Sequence, residues 1–416
     1  MTDKLFDFME GLTKKELIAL DSCTRCNECL QWCPVQDVTG DPNLSPPARI
    51  HAYKGYIEQT HSLKGKLLGS KKVSKDELTN FKEKMWKCAL CGTCGQVCTV
   101  GIDAKKLWWS VRRKIAESEV GCPEVLEKGP LQNYYKVRSP FPFELVDKYK
   151  IWFPDDIQMA DQAEIGFYEG CGCTWDAPQM AEGAVRLLNA AGPFTMLDPD
   201  KSWCCGFPQA AGSGDWSIMA ELANHMVEAF ADKGIKRLAV SCPMCLDIMK
   251  YLWPYFYGEA LPFEAMTTAE LLADLVEEGK LKFTKPIEET VTYHDPCAMA
   301  RPFMGKPILD APRNLLNAVP GIKLANMERH GKLSRCCGGS AGERATNSDI
   351  SAKIAKELFL EAKKTGADTM LTNCPVCYLN LATKTHAAPN AVMDEWRALE
   401  DPLKVNDLTQ YLAALL

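Results

Sequence analysis

The spacing of the cysteines constrains this chain more than any other feature of its sequence. Of the 20 cysteines among 416 residues, all but Cys122 and Cys173 fall into four regularly spaced sets. Two sets have the pattern C-x-x-C-x-x-C-x-x-x-C: Cys23, Cys26, Cys29 and Cys33, and Cys88, Cys91, Cys94 and Cys98. The first and second CCG sets have the pattern C…CCG…CPxC: Cys171, Cys204, Cys205, Cys242 and Cys245, and Cys297, Cys336, Cys337, Cys374 and Cys377. Thiolates at such spacings are the ligands of iron–sulfur clusters, so the sequence predicts a protein that carries electrons.

The first two sets have the spacing of bacterial ferredoxins. In ferredoxins the fourth cysteine of each run binds the cluster of the other run. Cross-ligation therefore predicts two cubane [4Fe-4S] clusters, one on Cys23, Cys26, Cys29 and Cys98 and the other on Cys88, Cys91, Cys94 and Cys33. Four cysteines also bind zinc, which is the alternative at each site. Two complete runs in one domain favour the clusters.

The rest of the chain contains an internal repeat. Cys205 is separated from Cys242 by the same number of residues that separates Cys337 from Cys374. Short apolar runs such as IGFYEGC and TVTYHDPC precede the cysteines and alternate with helical segments, a pattern that predicts parallel sheets. Ligands of such sheets bind beyond the carboxyl ends of the strands, which is where the cysteines fall.

We therefore expect a mixed fold of three domains. An α-helical, ferredoxin-like two-cluster domain is predicted for residues 1–150, and two α/β CCG repeats with parallel sheets are predicted for residues 151–283 and 284–416. The prolines and aromatic residues of the segment 120–160 predict an extended linker that packs against both parts.

Composition limits the class of partner. A net charge of −6 and a pI near 5.7 argue against nucleic acid. The N-terminus lacks a signal-peptide core, and no stretch approaches the roughly 20 apolar residues of a membrane helix. We expect a cytoplasmic protein, in which many cysteines indicate metal or redox chemistry. Because no GxGxxG or P-loop motif is present, we expect no flavin or NAD in this chain.

Two further residues stand just before the cysteine that begins the second CCG set. His294 and Asp295 belong to the string YHDPC, which ends at Cys297. Both are candidate catalytic residues, because a histidine with a near-neutral pKa can donate a proton to a leaving thiolate. The alternative is that His294 hydrogen-bonds a sulfide or the backbone and tunes the reduction potential.

Two ferredoxin runs followed by two CCG sets resemble the D-type subunit of heterodisulfide reductase and related subunits of sulfate-reducer membrane redox complexes. The arrangement more distantly resembles the iron–sulfur subunits of glycolate oxidase and glycerol-3-phosphate dehydrogenase. In the reductase family each CCG set binds a non-cubane [4Fe-4S] cluster through five cysteines, and the pair of clusters cleaves a disulfide. The resemblance therefore implies two non-cubane clusters here, and a cubane or zinc at one CCG site is the alternative.

The resemblance also implies partners and a location. It suggests a catalytic subunit held at the inner face of the cytoplasmic membrane by a cytochrome b-type or quinone-linked subunit, with further cytochrome or iron–sulfur subunits as candidate partners. The implied substrate is a disulfide, persulfide or trisulfide, free or on a small sulfur-carrier protein. The alternative function is an electron-transfer subunit of a flavoprotein dehydrogenase for glycolate, lactate or glycerol-3-phosphate.

The metal content of the ferredoxin-like domain is directly testable. Residues 1–150, purified anaerobically, are expected to bind about eight irons with matching acid-labile sulfide, because two cubanes require them. Iron, zinc and sulfide analysis of the same sample checks this expectation. Zinc without acid-labile sulfide would contradict it.

Overall fold

The N-terminal region is helical, as the sequence predicts. The computed structural model describes residues 7–61, 73–382 and 403–416. The helices of this region are α1 Lys14–Asp21, α2 Pro34–Thr39, α3 Pro46–His61, α4 Lys75–Trp86, α5 Thr93–Gln96 and α6 Ala104–Ala116. Helices α1 and α4 each begin with a reciprocal capping box, formed by Thr13 with Glu16 and by Ser74 with Glu77. These boxes satisfy backbone N–H groups that the first helical turn leaves without partners.

Helix α6 joins the N-terminal region to the rest of the protein. Its tryptophans Trp108 and Trp109 are both buried. The Trp109 ring stacks on Phe303 with a centroid separation of 4.1 Å and also stacks on Tyr251 at 5.9 Å. Since Tyr251 and Phe303 lie in different CCG repeats, one helix packs against both repeats through a single aromatic side chain.

The prediction of an extended linker at residues 120–160 is wrong. This segment contains α7 Glu124–Leu126, a π-helical turn Glu127–Leu131, α8 Gln132–Val137 and a 3₁₀ segment Leu145–Ile151. Pro123 precedes the first turn of α7, where no proline N–H is needed, and Pro130 lies inside the π-helical turn. The segment does contact both parts of the chain: Lys82 donates to the Val120 carbonyl, and the Cys204 N–H donates to the Arg138 carbonyl.

The first CCG repeat is built on a three-stranded parallel sheet. Its strands are β1 Ile165–Tyr168, β2 Arg237–Val240 and β3 Glu264–Thr267, in the order β1-β2-β3. Its helices are α9 Gly170–Trp175, α10 Pro178–Ala191, α11 Met219–Asp232, α12 Pro243–Tyr251, α13 Trp253–Tyr257 and α14 Thr268–Glu277. An isolated parallel bridge between Gly166 and Thr195 extends the sheet beyond β1.

The second CCG repeat has the same topology with one additional strand at one edge of its sheet. Its strands are β4 Glu289–Tyr293, β5 Ile322–Leu324, β6 Thr369–Thr372 and β7 Lys404–Asp407, all parallel and in the order β5-β4-β6-β7. Its helices are α15 Cys297–Ala300, α16 Asp310–Asn317, α17 Glu343–Thr346, α18 Ser348–Lys363, α19 Pro375–Leu381 and α20 Leu408–Ala413. Strand β5 pairs with β4 at the position where the first repeat has only its isolated bridge. Because both repeats contain parallel sheets, the predicted mixed fold is confirmed.

The two repeats pack closely through α10 and α20. The Thr409 hydroxyl donates to the Met180 carbonyl at 2.9 Å, and one apolar core contains residues of both repeats. At Gly183 the helices approach so closely that a Cβ atom would lie 2.6 Å from the Gln410 backbone nitrogen. No helix among residues 7–61, 73–382 and 403–416 is long and apolar enough to cross a membrane.

The Gly183 contact predicts a loss of stability on substitution. We expect Gly183→Ala to lower the free energy of unfolding by about 1–3 kcal/mol, because the new methyl group overlaps the backbone of α20. Gly55→Ala in α3 is the matched control, since nothing lies within 4 Å of its Cβ position. The control should gain roughly 0.5–1 kcal/mol from helix propensity. Anaerobic chemical denaturation measures both variants, and equal effects of the two substitutions would refute the packing argument.

Candidate iron–sulfur centres

The thiols of the two ferredoxin runs are interleaved in space. We call Cys23, Cys26, Cys29 and Cys98 the outer set, and Cys33, Cys88, Cys91 and Cys94 the inner set. Burial and the nearby thiols Cys23, Cys98 and Cys26 raise the pKa of Cys29 to about 12. Burial raises the pKa of Cys94 as well, and Cys91, Cys88 and Cys33 are its strongest thiol neighbours. The structure thus groups Cys98 with the first run and Cys33 with the second.

The two ferredoxin runs adopt the same loop conformation. Residues Arg25 and Asn27 flank Cys26 with φ angles of 59° and 62°, and Leu90 and Gly92 have φ angles of 48° and 76° at the equivalent positions of the second run. The left-handed conformation is unfavourable for residues other than glycine and is maintained only when the surrounding structure requires it. Its recurrence at matching positions indicates that both loops are shaped for the same kind of ligand.

The outer and inner sets differ in their exposure to water. Cys26 of the outer set is exposed, and its other three members are partly exposed. In the inner set Cys33 and Cys91 are buried. The outer set therefore lies at the protein surface, and the inner set lies between the N-terminal region and the CCG repeats.

The first CCG set assembles at the carboxyl ends of β1 and β2. Cys171 lies in α9 just after β1, and Cys242 caps α12 just after β2. The Cys204 and Cys171 sulfur atoms are 3.8 Å apart. Cys245 is hydrogen-bonded to both Cys205 and Cys242. All five thiols therefore converge, and among them only Cys171 is not fully buried.

The second CCG set assembles in the equivalent place after β4 and β6. Cys336 is hydrogen-bonded to Cys297 and Cys337, and Cys377 is hydrogen-bonded to Cys337 and Cys374. All five thiols are buried. Gly338 follows the vicinal pair with a φ of 82°, and a Cβ atom there would lie 2.8 Å from the Ser351 carbonyl oxygen. The glycine of the CCG motif is thus required by a left-handed turn that packs against α18.

His294 lies against the second CCG set, and Asp295 does not. A ring nitrogen of the fully buried His294 and the sulfur atoms of Cys337 and Cys377 all lie within 4.8 Å of one another. Among the described residues neither ring nitrogen has a nitrogen or oxygen partner. The Asp295 carboxylate instead accepts two hydrogen bonds from Arg313, at 2.7 and 2.8 Å, and one from the Gly331 N–H. Of the two candidate residues, His294 is therefore the one that faces the thiols.

Two contacts between thiols connect the inner set and the two CCG sets. A hydrogen bond with Cys336 is the largest cause that lowers the pKa of Cys91 to about 5, so the inner set touches the second CCG set. After Cys245, the neighbouring thiol of Cys374 is the next cause that lowers the pKa of Cys242, so the two CCG sets lie side by side. The sets follow one another in space as outer, inner, second CCG and first CCG, an order that differs from their order along the chain.

The two remaining cysteines have different surroundings. Cys122 is half-buried with its sulfur near the Pro123 carbonyl, and burial and the neighbouring Glu127 raise its pKa to about 11. Cys173 is fully buried beside Ser241 and Cys242, next to the first CCG set. Cys173 belongs to the apolar core that contains residues of both repeats near α10 and α20. Cys171 instead packs against a second large apolar core, which also includes residues of the N-terminal region.

The donor atoms in these sets fit iron–sulfur clusters. Each set offers four or five soft thiolates, the donors that such clusters take. Ionised thiolates this close together would repel one another, and the iron ions of a cluster would neutralise that charge. Sequence reasoning missed the ion pairs that border the sets, Lys148 with Glu169 and Lys105 with Asp247, although each acid lies two residues from a cysteine.

Family comparisons agree with this arrangement. Residues 165–250 and 291–382 match the cysteine-rich domain family CCG, and residues 19–102 match the 4Fe-4S dicluster domain. The chain is 33% identical over 412 residues to the D-type subunit of a dihydromethanophenazine:CoB–CoM heterodisulfide reductase from Methanosarcina barkeri, covering 98% of this chain and 96% of the relative. The corresponding protein of Methanosarcina mazei is 34% identical over 414 residues, with the same coverage.

More distant proteins match most of the length of this chain. The EtfAB:quinone oxidoreductase of Syntrophomonas wolfei is 26% identical over 444 residues, covering 97% of this chain and 59% of the relative. A crystal structure of a hypothetical protein from Helicobacter pylori has a TM-score of 0.51 at 9% identity, covering 97% of this chain and 73% of that one. That likeness concerns the fold alone.

The interleaving of the runs predicts the effect of replacing Cys33. We expect Cys33→Ser to disturb the cluster of the inner set, because Cys33 lies with Cys88 and Cys91 and not with its own run. Iron analysis and EPR spectroscopy of the reduced protein measure the loss. Cys122→Ser is the control and should leave the iron content unchanged. Damage confined to the outer set would show that the grouping of the thiols is not the grouping of the ligands.

Proposed function

The chain belongs to the family of heterodisulfide reductase D-type subunits, and on this premise we propose that it reduces a disulfide, persulfide or trisulfide. One observation carries the proposal: the two CCG sets touch through Cys242 and Cys374 at the strand ends of both repeats. The two sulfur atoms of a disulfide are about 2 Å apart, so one substrate can reach two such neighbouring sites at once. Each CCG set also has all five of its cysteines.

We propose that the outer and inner sets each hold a cubane [4Fe-4S] cluster and that each CCG set holds a non-cubane [4Fe-4S] cluster. When bound, the clusters supply one-electron transfer and, at the CCG sets, affinity for sulfur. The domains that carry them are proposed as residues 1–150, 151–283 and 284–416.

The protein's own residues support a path from the surface to the interior. Because Cys26 is exposed, the outer set is accessible to an external electron donor. The Cys91–Cys336 contact connects the inner set directly to the second CCG set. These inner residues are buried, so water is kept from the region where electrons move. An ordered series of centres within one chain suits transfer from a protein donor to a buried sulfur site.

His294 and Asp295 take different parts in this proposal. His294 is the one side chain of the pair within reach of the thiols, and it is suited to hydrogen-bond sulfur beside Cys337 and Cys377. Asp295 holds the neighbouring loop through Arg313 and Gly331. This division favours the interpretation that His294 tunes the site, and proton donation by either residue stays a prediction.

The partners follow from the chemistry and the relatives. The names of the two Methanosarcina proteins pair the CoB–CoM heterodisulfide with a reduced carrier, dihydromethanophenazine. By analogy we propose a cytochrome b-type or quinone-linked partner at the inner face of the membrane as the donor. A free disulfide or a small sulfur-carrier protein is the proposed acceptor.

A single substitution separates catalysis from electron delivery. We expect Cys337→Ala to abolish reduction of every disulfide or persulfide substrate, because Cys337 contacts Cys336 and Cys377 at the centre of its set. Reduction of the ferredoxin clusters by a strong one-electron donor should continue, since those thiols lie elsewhere. Anaerobic assays with a panel of disulfide and persulfide substrates, with spectra of the clusters, measure both effects.

The same assay tests the alternative function. The match to an EtfAB:quinone oxidoreductase along 97% of this chain favours a relay role as the second candidate. Fully clustered wild-type protein that turns over none of the sulfur substrates, yet exchanges electrons rapidly with a flavoprotein, would support the dehydrogenase role and refute the reductase.

A further inference from the structure

Three buried arginines surround the inner set. Arg49, Arg112 and Arg301 are 1%, 0% and 6% exposed. Each donates a hydrogen bond to a backbone carbonyl at, or next to, an inner-set cysteine. Arg112 donates to the Cys88 carbonyl, Arg301 donates to the Cys91 carbonyl at 2.8 Å, and Arg49 donates to the carbonyl of Lys87 at 3.2 Å. The three guanidinium groups come from different parts of the chain and converge on one set of thiols.

These arginines differ from the other buried cations in having no acidic partner. Within the described ranges no carboxylate lies within ion-pair distance of any of the three, and their acceptors are carbonyl and hydroxyl oxygens. The other buried lysines and arginines in the described part of the chain are each paired with an acid: Lys105 with Asp247, Lys148 with Glu169 and Arg335 with Asp37.

One buried acid, Glu343, interacts electrostatically with two of these arginines without forming an ion pair with them. Glu343 is fully buried, and burial raises the pKa of its carboxyl to about 8, although Arg112 and Arg49 oppose the rise. Burial therefore disfavours the ionised carboxylate that would offset these arginines. The Nη2 atom of Arg301 has no hydrogen-bond partner among the described residues.

Uncompensated buried charge is costly, so a counter-charge must lie nearby. As the thiolate ligands of a cluster, the inner-set cysteines would supply that counter-charge, and the three arginines are hydrogen-bonded to the backbone beside them. A cluster held by four thiolates is anionic and gains one further negative charge on reduction. Buried cations at short range stabilise that added charge because little water screens them.

The outer set lacks this arrangement in the described part of the chain. Arg25, which precedes Cys26, is exposed to solvent. Lys54 is paired with Asp21, and both side chains reach water. Water and salt screen such exposed charges, so they act weakly on a nearby redox centre.

We propose that Arg49, Arg112 and Arg301 are positioning residues that raise the reduction potential of the inner-set cluster. The inner set then attracts electrons that arrive at the outer set and passes them to the second CCG set through the Cys91–Cys336 contact. This charge arrangement favours electron transfer from the outer set to the inner set. The proposal rests on the clusters assigned to these thiols under the proposed function.

The test compares Arg301→Gln with Arg301→Lys in the full chain. Anaerobically purified proteins are titrated potentiometrically while EPR spectroscopy follows the two cubanes. Cys26→Ser, which alters only an outer-set thiol, identifies the outer signal. At a fixed potential, Arg301→Gln should raise the oxidised-to-reduced ratio of the inner cluster at least tenfold. For a one-electron couple this corresponds to a midpoint potential lowered by about 59 mV. Arg301→Lys should keep the wild-type midpoint because it keeps the charge.

Arg25→Gln is the matched control, because it removes an exposed arginine next to an outer-set cysteine. It should leave the inner midpoint unchanged and move the outer one less than Arg301→Gln moves the inner one. If Arg301→Gln loses iron, Arg49→Gln is measured instead, and the same lowering is expected. Intact clusters with an unchanged inner midpoint, or with equal shifts of both cubanes, would overturn the inference.

The experiment also separates this inference from the function on which it rests. Protein without iron and acid-labile sulfide refutes the cluster assignment and the inference together. Protein with both cubanes that reduces no sulfur substrate refutes the proposed function alone, because the midpoint shift in Arg301→Gln is measured without turnover. A shift limited to the inner cluster supports the inference in either case.

Discussion

Close contact between buried thiols is the constraint on which the rest of this structure depends. Ionised thiolates repel one another and lose solvation in the interior, so four or five of them can be ionised together only beside positive groups such as the iron ions of a cluster. In every set, the cysteines that come together lie beside tight turns or at the start of helices. The buried ion pairs Lys105–Asp247 and Lys148–Glu169 then balance charge around the sets without adding a net charge.

The same constraint explains how the N-terminal region is attached. Helix α6 contributes Trp109 to an aromatic stack with Phe303. It also contributes Arg112, which donates to the carbonyls of Cys88, Ala211 and Ala341 in three parts of the chain. One helix thus fixes the inner set against both CCG repeats. A rigid attachment matters because electron transfer between centres depends on their separation.

The two CCG repeats share a fold but not an environment. The second repeat has one more residue between its strand tyrosine and its first cysteine, and His294 lies in that longer turn. The first repeat places Glu169 after its tyrosine and pairs it with Lys148. The contact with the inner set is made by Cys336 of the second set. The two repeats therefore have similar thiol sites with different neighbours.

The sequence by itself was sufficient to predict iron–sulfur centres, parallel sheets and an internal repeat. Cysteine spacing limits which thiols can reach one cluster, and the alternation of apolar runs with helices determines strand direction through the length of each connection. These are local properties of the chain, and they also placed the cysteines at the strand ends. The segment 120–160 was misjudged because prolines that end long helices are compatible with short ones.

The relation between the sets was decided only by the tertiary structure. The contacts Cys91–Cys336 and Cys242–Cys374, and the convergence of Arg49, Arg112 and Arg301, join residues far apart in sequence. No spacing rule carries such information, because it depends on how two sheets and one helix pack together. Sequence also ranked His294 and Asp295 alike, whereas packing turned one side chain toward the thiols and the other toward Arg313. The direction of a side chain within a buried turn follows from its surroundings, and those exist only once the chain has folded.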